Sequence, residues 1–475
     1  MLFESGTDRV DGMRKLFAFR RMLRNWPAAL LGVILAVFVP LSDDAVTGYG
    51  VVFAQGSDDS GEEQQTRQVS GISEKTYRKF AEAQEFMEAD NYQGALQVLN
   101  EVKAKKNLSS TEAIQLYSFY GVLYFSQERY KESITAFETM LKQEDLEDRQ
   151  RTETLYTLAQ LHFTIEDYKR AVDIMNQWLS VVENPGPEPF ILLASAYYQL
   201  ERYNEMITPI EKAMAIARER DKPVKEQWWL LLRVAYYELY DSTKDRKHLT
   251  KVKDILEILV VNWPKKEYWT MLSGLYGELN DDRRQVAAYE SAYDQGFLAK
   301  SSEIVSMAQL LLQAEVAYKA ARILEKGFED GLVDKNEGNY RLLSQAWQVA
   351  AEYEKAIPPL KQAATISNDG ELDVRLANSY LNLNRYDECA EAARGGLNKG
   401  GLKSRGGAYE LLGMCLFEKS QFEDAKTAFR QAANDAKIAK RARNWIKFIE
   451  SEQARINQLN ESIRQARQAR ESFDN

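Results

Sequence analysis

From residue 77 onward, apolar side chains return every three to four residues in stretches about a dozen long, the spacing of one buried helix face, with short polar turns between the stretches. The pattern itself repeats. Aligned on an aromatic in the turn, the chain gives Tyr92, Tyr130, Tyr168 and Tyr203 at spacings of 38, 38 and 35, then, after a long gap, Tyr353, Tyr386 and Phe422 at spacings of 33 and 36. Three residues after the turn aromatic stands a mostly small side chain (Ala95, Ser133, Ala171, Ala356, Cys389, Ala425), with Met206 departing. Nine residues before it stands another, such as Ala83, Gly121, Ala159, Ser344 or Gly413. Small residues at these two places let a pair of antiparallel helices approach closely while the aromatic closes the turn. The pattern continues more weakly through residues 268–293 and 304–328, so ten helix-turn-helix units are predicted. The fifth, from Trp228 to Pro264, carries extra residues between 241 and 248, predicted to lengthen its turn and to leave His248 in a solvated polar insert. Helix is expected from about residue 74 to about 468, without sheet. Pro209, Pro358 and Pro359 are expected within or just past the first turn of a second helix, where few backbone bonds are lost.

These units resemble the tetratricopeptide repeat family over residues 77–434. The segment AYELLGMCLFEKSQFEDAKTAFRQAAND at 408–435 carries the resemblance best, with Leu412 and Gly413 in its first helix, Phe422 in the turn, and Ala425, Phe429 and Ala432 in its second. The resemblance implies an all-α fold: a tetratricopeptide-repeat α-solenoid, a right-handed superhelix of about ten helix pairs whose first helices line a concave groove that binds peptides or partner proteins. A narrower likeness lies in NPGPEPFILLASAYYQLERY at 184–203, WPKKEYWTMLSGLYGEL at 263–279 and AEVAYKAARILEKGFEDG at 314–331. These blocks are similar to the periplasmic repeat proteins encoded beside accessory TonB, ExbB and ExbD energy-transduction genes of gammaproteobacteria. The lengthened fifth turn departs from that family.

The first 54 residues read differently. Arg14, Lys15, Arg20, Arg21 and Arg24 precede an apolar run from Pro27 to Leu41. Its 14 residues from Ala28 reach only ~21 Å as a helix, short of a bilayer core of about 30 Å. That is the layout of an export signal, with Ala54 as a candidate last residue before cleavage; an uncleaved signal anchor is the alternative, because Asp43 and Asp44 sit where a cleavage region would lie. Met13 is a second candidate start. Either outcome puts the remainder outside the cytoplasm, in the periplasm, since the basic residues stay inside. Residues 55–73 hold few apolar side chains and are expected to be a disordered linker, followed by the repeat array at 74–434 and a capping and basic helix at 435–475.

Charge divides along the same lines. Of 62 basic and 71 acidic residues, 47 and 61 fall in residues 55–436, net −14, whereas residues 437–475 carry 9 and 5, net +4. An acidic body offers no footprint for nucleic acid. The terminal helix places Ile438, Ala442, Trp445, Ile446 and Ile449 on one face, as a cap for the open last repeat would.

Candidate chemistry is sparse. His162, His248, Cys389 and Cys415 are too few and too scattered for a zinc cage. The cysteines are expected as two small buried side chains rather than a disulfide. His162 occupies an inward position otherwise taken by tyrosine and is expected as a satisfied core histidine. The glycine-rich RGGLNKGGLKSRGG at 394–407 lacks the lysine spacing and the preceding strand of a phosphate loop, so its glycines are expected to end one helix and free the next. No catalytic constellation, cofactor or metal is implied, and the chain reads as a non-enzyme.

Specificity is therefore sought in the groove. On the first helices of units two to five the residue after the core aromatic is Phe125, Phe163, Tyr198 and Tyr237, one helical step from the core position and expected to be partly exposed. Tyr156, Gln160, Ser195 and Gln227 are expected beside them, giving flat apolar surface with amide and hydroxyl groups suited to an extended segment. The turn residues Tyr130 and Tyr168 are expected to be buried between helices. The partner implied by the resemblance is a component of a TonB-ExbB-ExbD system; the alternative is a general cell-envelope assembly scaffold for outer-membrane or peptidoglycan machinery.

Overall fold

The computed structural model describes residues 71–473, and every regular element among them is an α-helix. The described residues divide into two compact units, with the boundary between Trp263 and Pro264. The first holds five helix pairs: α1 (Glu74–Glu88) with α2 (Tyr92–Lys103), α3 (Ser110–Ser126) with α4 (Tyr130–Met140), α5 (Asp148–Thr164) with α6 (Tyr168–Val181), α7 (Glu188–Gln199) with α8 (Tyr203–Glu219), and α9 (Glu226–Thr243) with α10 (Arg246–Asn262). The second holds α11 (Lys266–Glu278) with α12 (Asp282–Asp294), α13 (Ser301–Gln313) with α14 (Ala317–Glu329), α15 (Glu337–Val349) with α16 (Tyr353–Ile366), α17 (Glu371–Asn382) with α18 (Tyr386–Lys399), and α19 (Arg405–Glu418) with α20 (Phe422–Ala432), followed by α21 (Ala439–Phe473). This is the tetratricopeptide-type all-α repeat array expected, with its ten pairs and terminal helix. The export-signal reading of residues 1–54 lies outside the described residues. The last residues of the expected linker are already held by the repeats, since Ser109 Oγ donates to the Gly71 carbonyl and Ser73 binds Glu112.

The two small positions do what their spacing implied. Ala83, Ala95, Ala159, Ala194, Ala377 and Ala425 have no exposed surface. At Gly121 a Cβ would stand 2.4 Å from the Phe137 ring, and at Gly413 one would stand 2.8 Å from Phe429, so only glycine admits those rings. Where serine takes a small position, its hydroxyl bonds the facing helix's carbonyl: Ser133 to Gly121 at 2.7 Å, Ser273 to Gln285 at 2.8 Å and Ser344 to Ala356 at 2.9 Å. Each donor is thereby satisfied inside an otherwise apolar contact, where an unpaired hydroxyl would cost about 1–3 kcal/mol.

All ten intra-pair turns share one backbone device. The residue two places before the second helix is left-handed, from Asp90 at φ 55° to Glu166 at φ 64°, and it is never glycine. In nine turns the next N–H reaches back to the carbonyl five residues earlier, as from Arg129 to Tyr124 at 2.8 Å and from Arg385 to Tyr380 at 2.9 Å. This six-to-one bond is the Schellman closure that satisfies an orphan carbonyl at a helix end. The fifth turn is the exception in bonding but not in length. Its left-handed residue is Lys244, and the Asp245 N–H bonds Thr243 Oγ1 at 3.2 Å instead. The expected long turn is therefore corrected: the extra residues extend α9 by about one turn, and Leu249, three places into α10, falls on the small-residue register fully buried. His248 lies within α10, half-buried, with its ring stacked 6.2 Å from Tyr236 rather than solvated in an insert.

The prolines sit deeper than expected. Pro209 is the seventh residue of α8, and Pro358 and Pro359 are the sixth and seventh of α16, in the second turn rather than the first. Both helices run on. The carbonyls deprived of donors belong to Glu205, Glu354 and Lys355, all exposed, so water can serve them.

In the second unit, Cys389 and Cys415 are fully buried as expected but are joined in a disulfide, with Cα atoms 5.8 Å apart, which corrects the reading of two free thiols. Cys389 holds the small position of the ninth pair and Cys415 faces it from α19, a juxtaposition that sequence spacing cannot reveal. Gly400 (φ 75°) and Gly401 (φ 68°) are left-handed and end α18, as predicted. The terminal helix packs through Ala442 and Ile449, both without exposed surface, and the Trp445 ring stacks on Phe429 at 5.3 Å. Glu410, buried on α19, receives a bidentate pair from Arg441 at 2.9 and 2.6 Å. The array thus ends on a closed apolar face.

Candidate functional site

The first helices of units two to five hold the expected binding residues, and their surroundings alter the picture. In units two and four an arginine five places after the core aromatic covers its ring. Arg129 lies 4.5 Å from the Tyr124 ring and Arg202 lies 4.8 Å from that of Tyr197, and the same backbone atoms make the turn's closing bond. In unit three the pair becomes His162 and Asp167, with Nδ1 and Oδ2 3.3 Å apart. His162 therefore substitutes for a tyrosine in a turn lock. Its other nitrogen, Nε2, is buried without a hydrogen-bond partner, so the expectation of a fully satisfied histidine holds for one ring atom only.

The neighbouring register shows a second lock. Phe125 meets Tyr130 at 5.9 Å, Phe163 meets Tyr168 at 5.2 Å edge-on, and Tyr198 meets Tyr203 at 6.2 Å. Groove aromatic and turn tyrosine are one contact, not two populations. Tyr130 and Tyr168 are half-buried rather than sealed between helices, with hydroxyl pKa values raised by burial and then by the charges of Glu128 and Glu166. Phe163 is 8% exposed, which removes it from any free stripe. Phe125, Tyr198 and Tyr237 stay half-buried, and Tyr237 lies 6.5 Å from Tyr240.

The polar members divide likewise. Tyr156 lies half-buried with its ring 5.0 Å from Trp178. Its hydroxyl is pushed up to about 12 by burial and then by the charge of Glu188, against the pull of a hydrogen bond with Gln160 one turn on. Ser195 spends its hydroxyl on the Ile191 carbonyl at 2.8 Å. Gln227 is exposed at the start of α9. Sequence reasoning missed the charged members beside them: Glu188 Oε1 pairs with Lys225 Nζ at 3.2 Å, and Lys225 stands 5.3 Å over the Trp228 ring. The signal was available, because Glu188 opens α7 immediately after Pro187 and so faces the start of the next first helix. Among the described residues no three His, Cys, Asp or Glu side chains cluster as a metal site would require, and no helix is long and apolar enough to cross a membrane. What these faces offer an extended chain is flat rings, a tyrosine–glutamine pair midway along α5 and an ion pair joining the starts of α7 and α9.

The family model for subunit 3 of the anaphase-promoting complex, or cyclosome, matches residues 126–213, which spans unit three, most of unit four and five of the eight candidate groove residues. No curated protein matches the chain. Solved structures similar to it include the TPR2AB domain of yeast Sti1 in a pHSP90 complex, at 14% identity over 57% of this chain and 98% of that one, with a TM-score of 0.32. YrrB, a TPR protein with an unusual peptide-binding site, is similar at 17% identity over 40% of this chain and 96% of that one, with a TM-score of 0.32. The Cut9–Hcn1 hetero-tetramer of the anaphase-promoting complex is similar at 11% identity over 79% of this chain and 96% of that one, with a TM-score of 0.27.

Proposed function

We propose that the chain is an exported, non-enzymatic protein-interaction scaffold that holds an extended segment of a partner along the first helices of units two to five. One observation carries this reading: Phe125, Tyr198 and Tyr237, each next to the core aromatic of its first helix, keep part of their rings in solvent, and on α5, where Phe163 is buried, Tyr156 two turns earlier does so instead. Tyr156 with Gln160, and Glu188 with Lys225, supply the polar contacts that fix a peptide's register. The Cys389–Cys415 disulfide supports an extracytoplasmic setting, since structural disulfides persist in oxidising compartments. The narrower reading is an accessory role in a TonB-ExbB-ExbD energy-transduction system, with the bound segment supplied by one of its components; it rests on the sequence blocks at 184–203, 263–279 and 314–331.

Capture of partners from envelope extract by the tagged chain tests the reading. The combined Tyr198→Ala and Gln227→Ala variant is expected to keep its helical circular dichroism and to lose at least tenfold in capture of TonB, ExbB or ExbD components, as loss of an aromatic anchor does. Undiminished capture by a folded variant removes the groove assignment. Capture of other envelope proteins with the same sensitivity keeps the scaffold and removes the TonB role.

A further inference from the structure

Comparison of the ten turns with one another isolates a surface unrelated to the groove. Immediately before the second helix nine units carry a polar residue, such as Asn91, Asp167 or Gln421; unit seven carries Val316. At the second residue of the second helix nine units are again polar, as in Lys131 or Glu354, and unit seven has Tyr318. Four places before the second helix nine are polar, and unit eight has Val349. The three exceptions fall at adjoining turns of neighbouring units. Together with Tyr353 they are 42–60% exposed. Tyr318 meets Trp347 edge-on at 5.4 Å, and Lys355 stands 5.4 Å over the first ring and 4.8 Å over the second, so the patch is a fixed surface and not a set of loose side chains. At its rim Glu315, left-handed and exposed, makes no ion pair among the described residues. Scattered exposed apolar residues need no explanation, whereas a contiguous group that replaces a polar register does.

The same chain carries a matching surface. On α21 the seam that packs on the last pair through Ala442 and Ile449 continues at heptad spacing to Ile456 and Ile463, with Leu459 between. Leu459 and Ile463 are 50% and 42% exposed. One further turn along that face stands Arg467, exposed and without an ion pair among the described residues. An apolar stripe ending in a free cation complements an apolar patch edged by a free carboxylate, and the helix at net +4 complements the body at net −14.

We infer that the turn-edge patch of units seven and eight is the docking site for the terminal helix of a second copy of this chain. Four apolar side chains on the patch and three on the helix make a small interface, so association is weak, concentration-dependent and reduced by salt. It is independent of the groove.

The test uses two differently tagged full-length copies in one cell, with a benzophenone photo-crosslinker in place of Tyr318 on one of them. Illumination is expected to join the two tags through a peptide within residues 452–468 of the other copy. Val316→Asp with Val349→Gln, which restores the polar identity of the other nine units, and separately Leu459→Glu with Ile463→Glu, should each reduce that adduct at least tenfold without loss of helical circular dichroism. The groove variants should leave it unchanged. Adducts confined to one tag, adducts with another protein alone, or an adduct that survives both double variants each overturn the inference.

Discussion

At the scale of single residues, the left-handed turn position is a recurring cost written into the sequence in side chains that do not advertise it. Asn280 and Asn384 belong to a type that tolerates the conformation, but Glu128, Glu166, Glu201, Glu315 and Ala351 do not, and their φ values are the same. A left-handed L-residue costs about 1–2 kcal/mol, and glycine returns about 0.4–1 of that in unfolded-state freedom. Ala351→Gly, at an exposed site with no side-chain contact to lose, is therefore expected to stabilise the chain by about 0.5–1 kcal/mol in a denaturant titration. Glu112 poses the opposite case. Burial would raise its pKa, but hydrogen bonds from Lys105, the Ser73 amide, Thr76 and the Ser73 hydroxyl overcome burial and hold it at about 2, below its ordinary 4.5. A depressed carboxylate contributes stability that is complete above the unfolded value and is lost as pH falls through the folded one. The stability difference between the native chain and Glu112→Gln should be constant above about pH 5 and shrink steadily between pH 4.5 and 2. A difference that does not change with pH would mean that Glu112 acts only by filling space.

At the scale of elements, ten helix pairs were legible because each pair must bury two small residues at a fixed distance from a turn, and that distance is a sequence spacing. What escaped the spacing was three-dimensional. An insertion of about one helical turn keeps the register of the helix it lengthens, so residues 241–248 looked like loop and form the end of α9 and the start of α10. Phe163 stood one step from the core and was expected to be partly exposed, yet it is buried with its edge against Tyr168. The lock between residues five apart, in which the turn aromatic covers its own first helix, has no period to betray it. The Cys389–Cys415 bridge was hidden for the same reason, since it joins α18 to α19 across a repeat boundary, 26 residues apart. Closing a loop of that size restricts the unfolded chain by about 3 kcal/mol. Cys389→Ala with Cys415→Ala should lower the stability of the unit formed by residues 264–475 by about that amount, read as an earlier transition in urea followed by helical circular dichroism. An unchanged transition would assign the bridge no role in stability.

At the scale of the whole molecule, the compartment decides whether that bridge forms at all, and three independent features of the chain bear on it. The bridge stands between two side chains with no exposed surface, so it must form before or during folding and then cannot be reached by a reductant without opening the ninth and tenth pairs. A cytoplasmic chain would fold around two thiols. The apolar run from Ala28 to Leu41 is preceded by five basic residues from Arg14 to Arg24, the asymmetry on which the proposal of export rests. The body behind it is acidic overall, net −14 over residues 55–436, so the basic residues ahead of the apolar run are not matched by a net positive charge after it. Export therefore predicts two results that need not agree by chance. A fusion of residues 1–80 to a reporter active only after translocation should be active, and the full chain, quenched in acid and alkylated in denaturant, should show no free thiol. Deleting residues 14–41 should reverse both, leaving the reporter silent and exposing two alkylatable cysteines. A chain whose bridge is intact after that deletion would show that folding alone drives oxidation, and the disulfide would then carry no information about compartment. An inactive reporter with the signal present would remove export, and with it any partner that lives only in the envelope, while leaving the helix pairs and their half-exposed aromatics to be matched to a partner inside the cell.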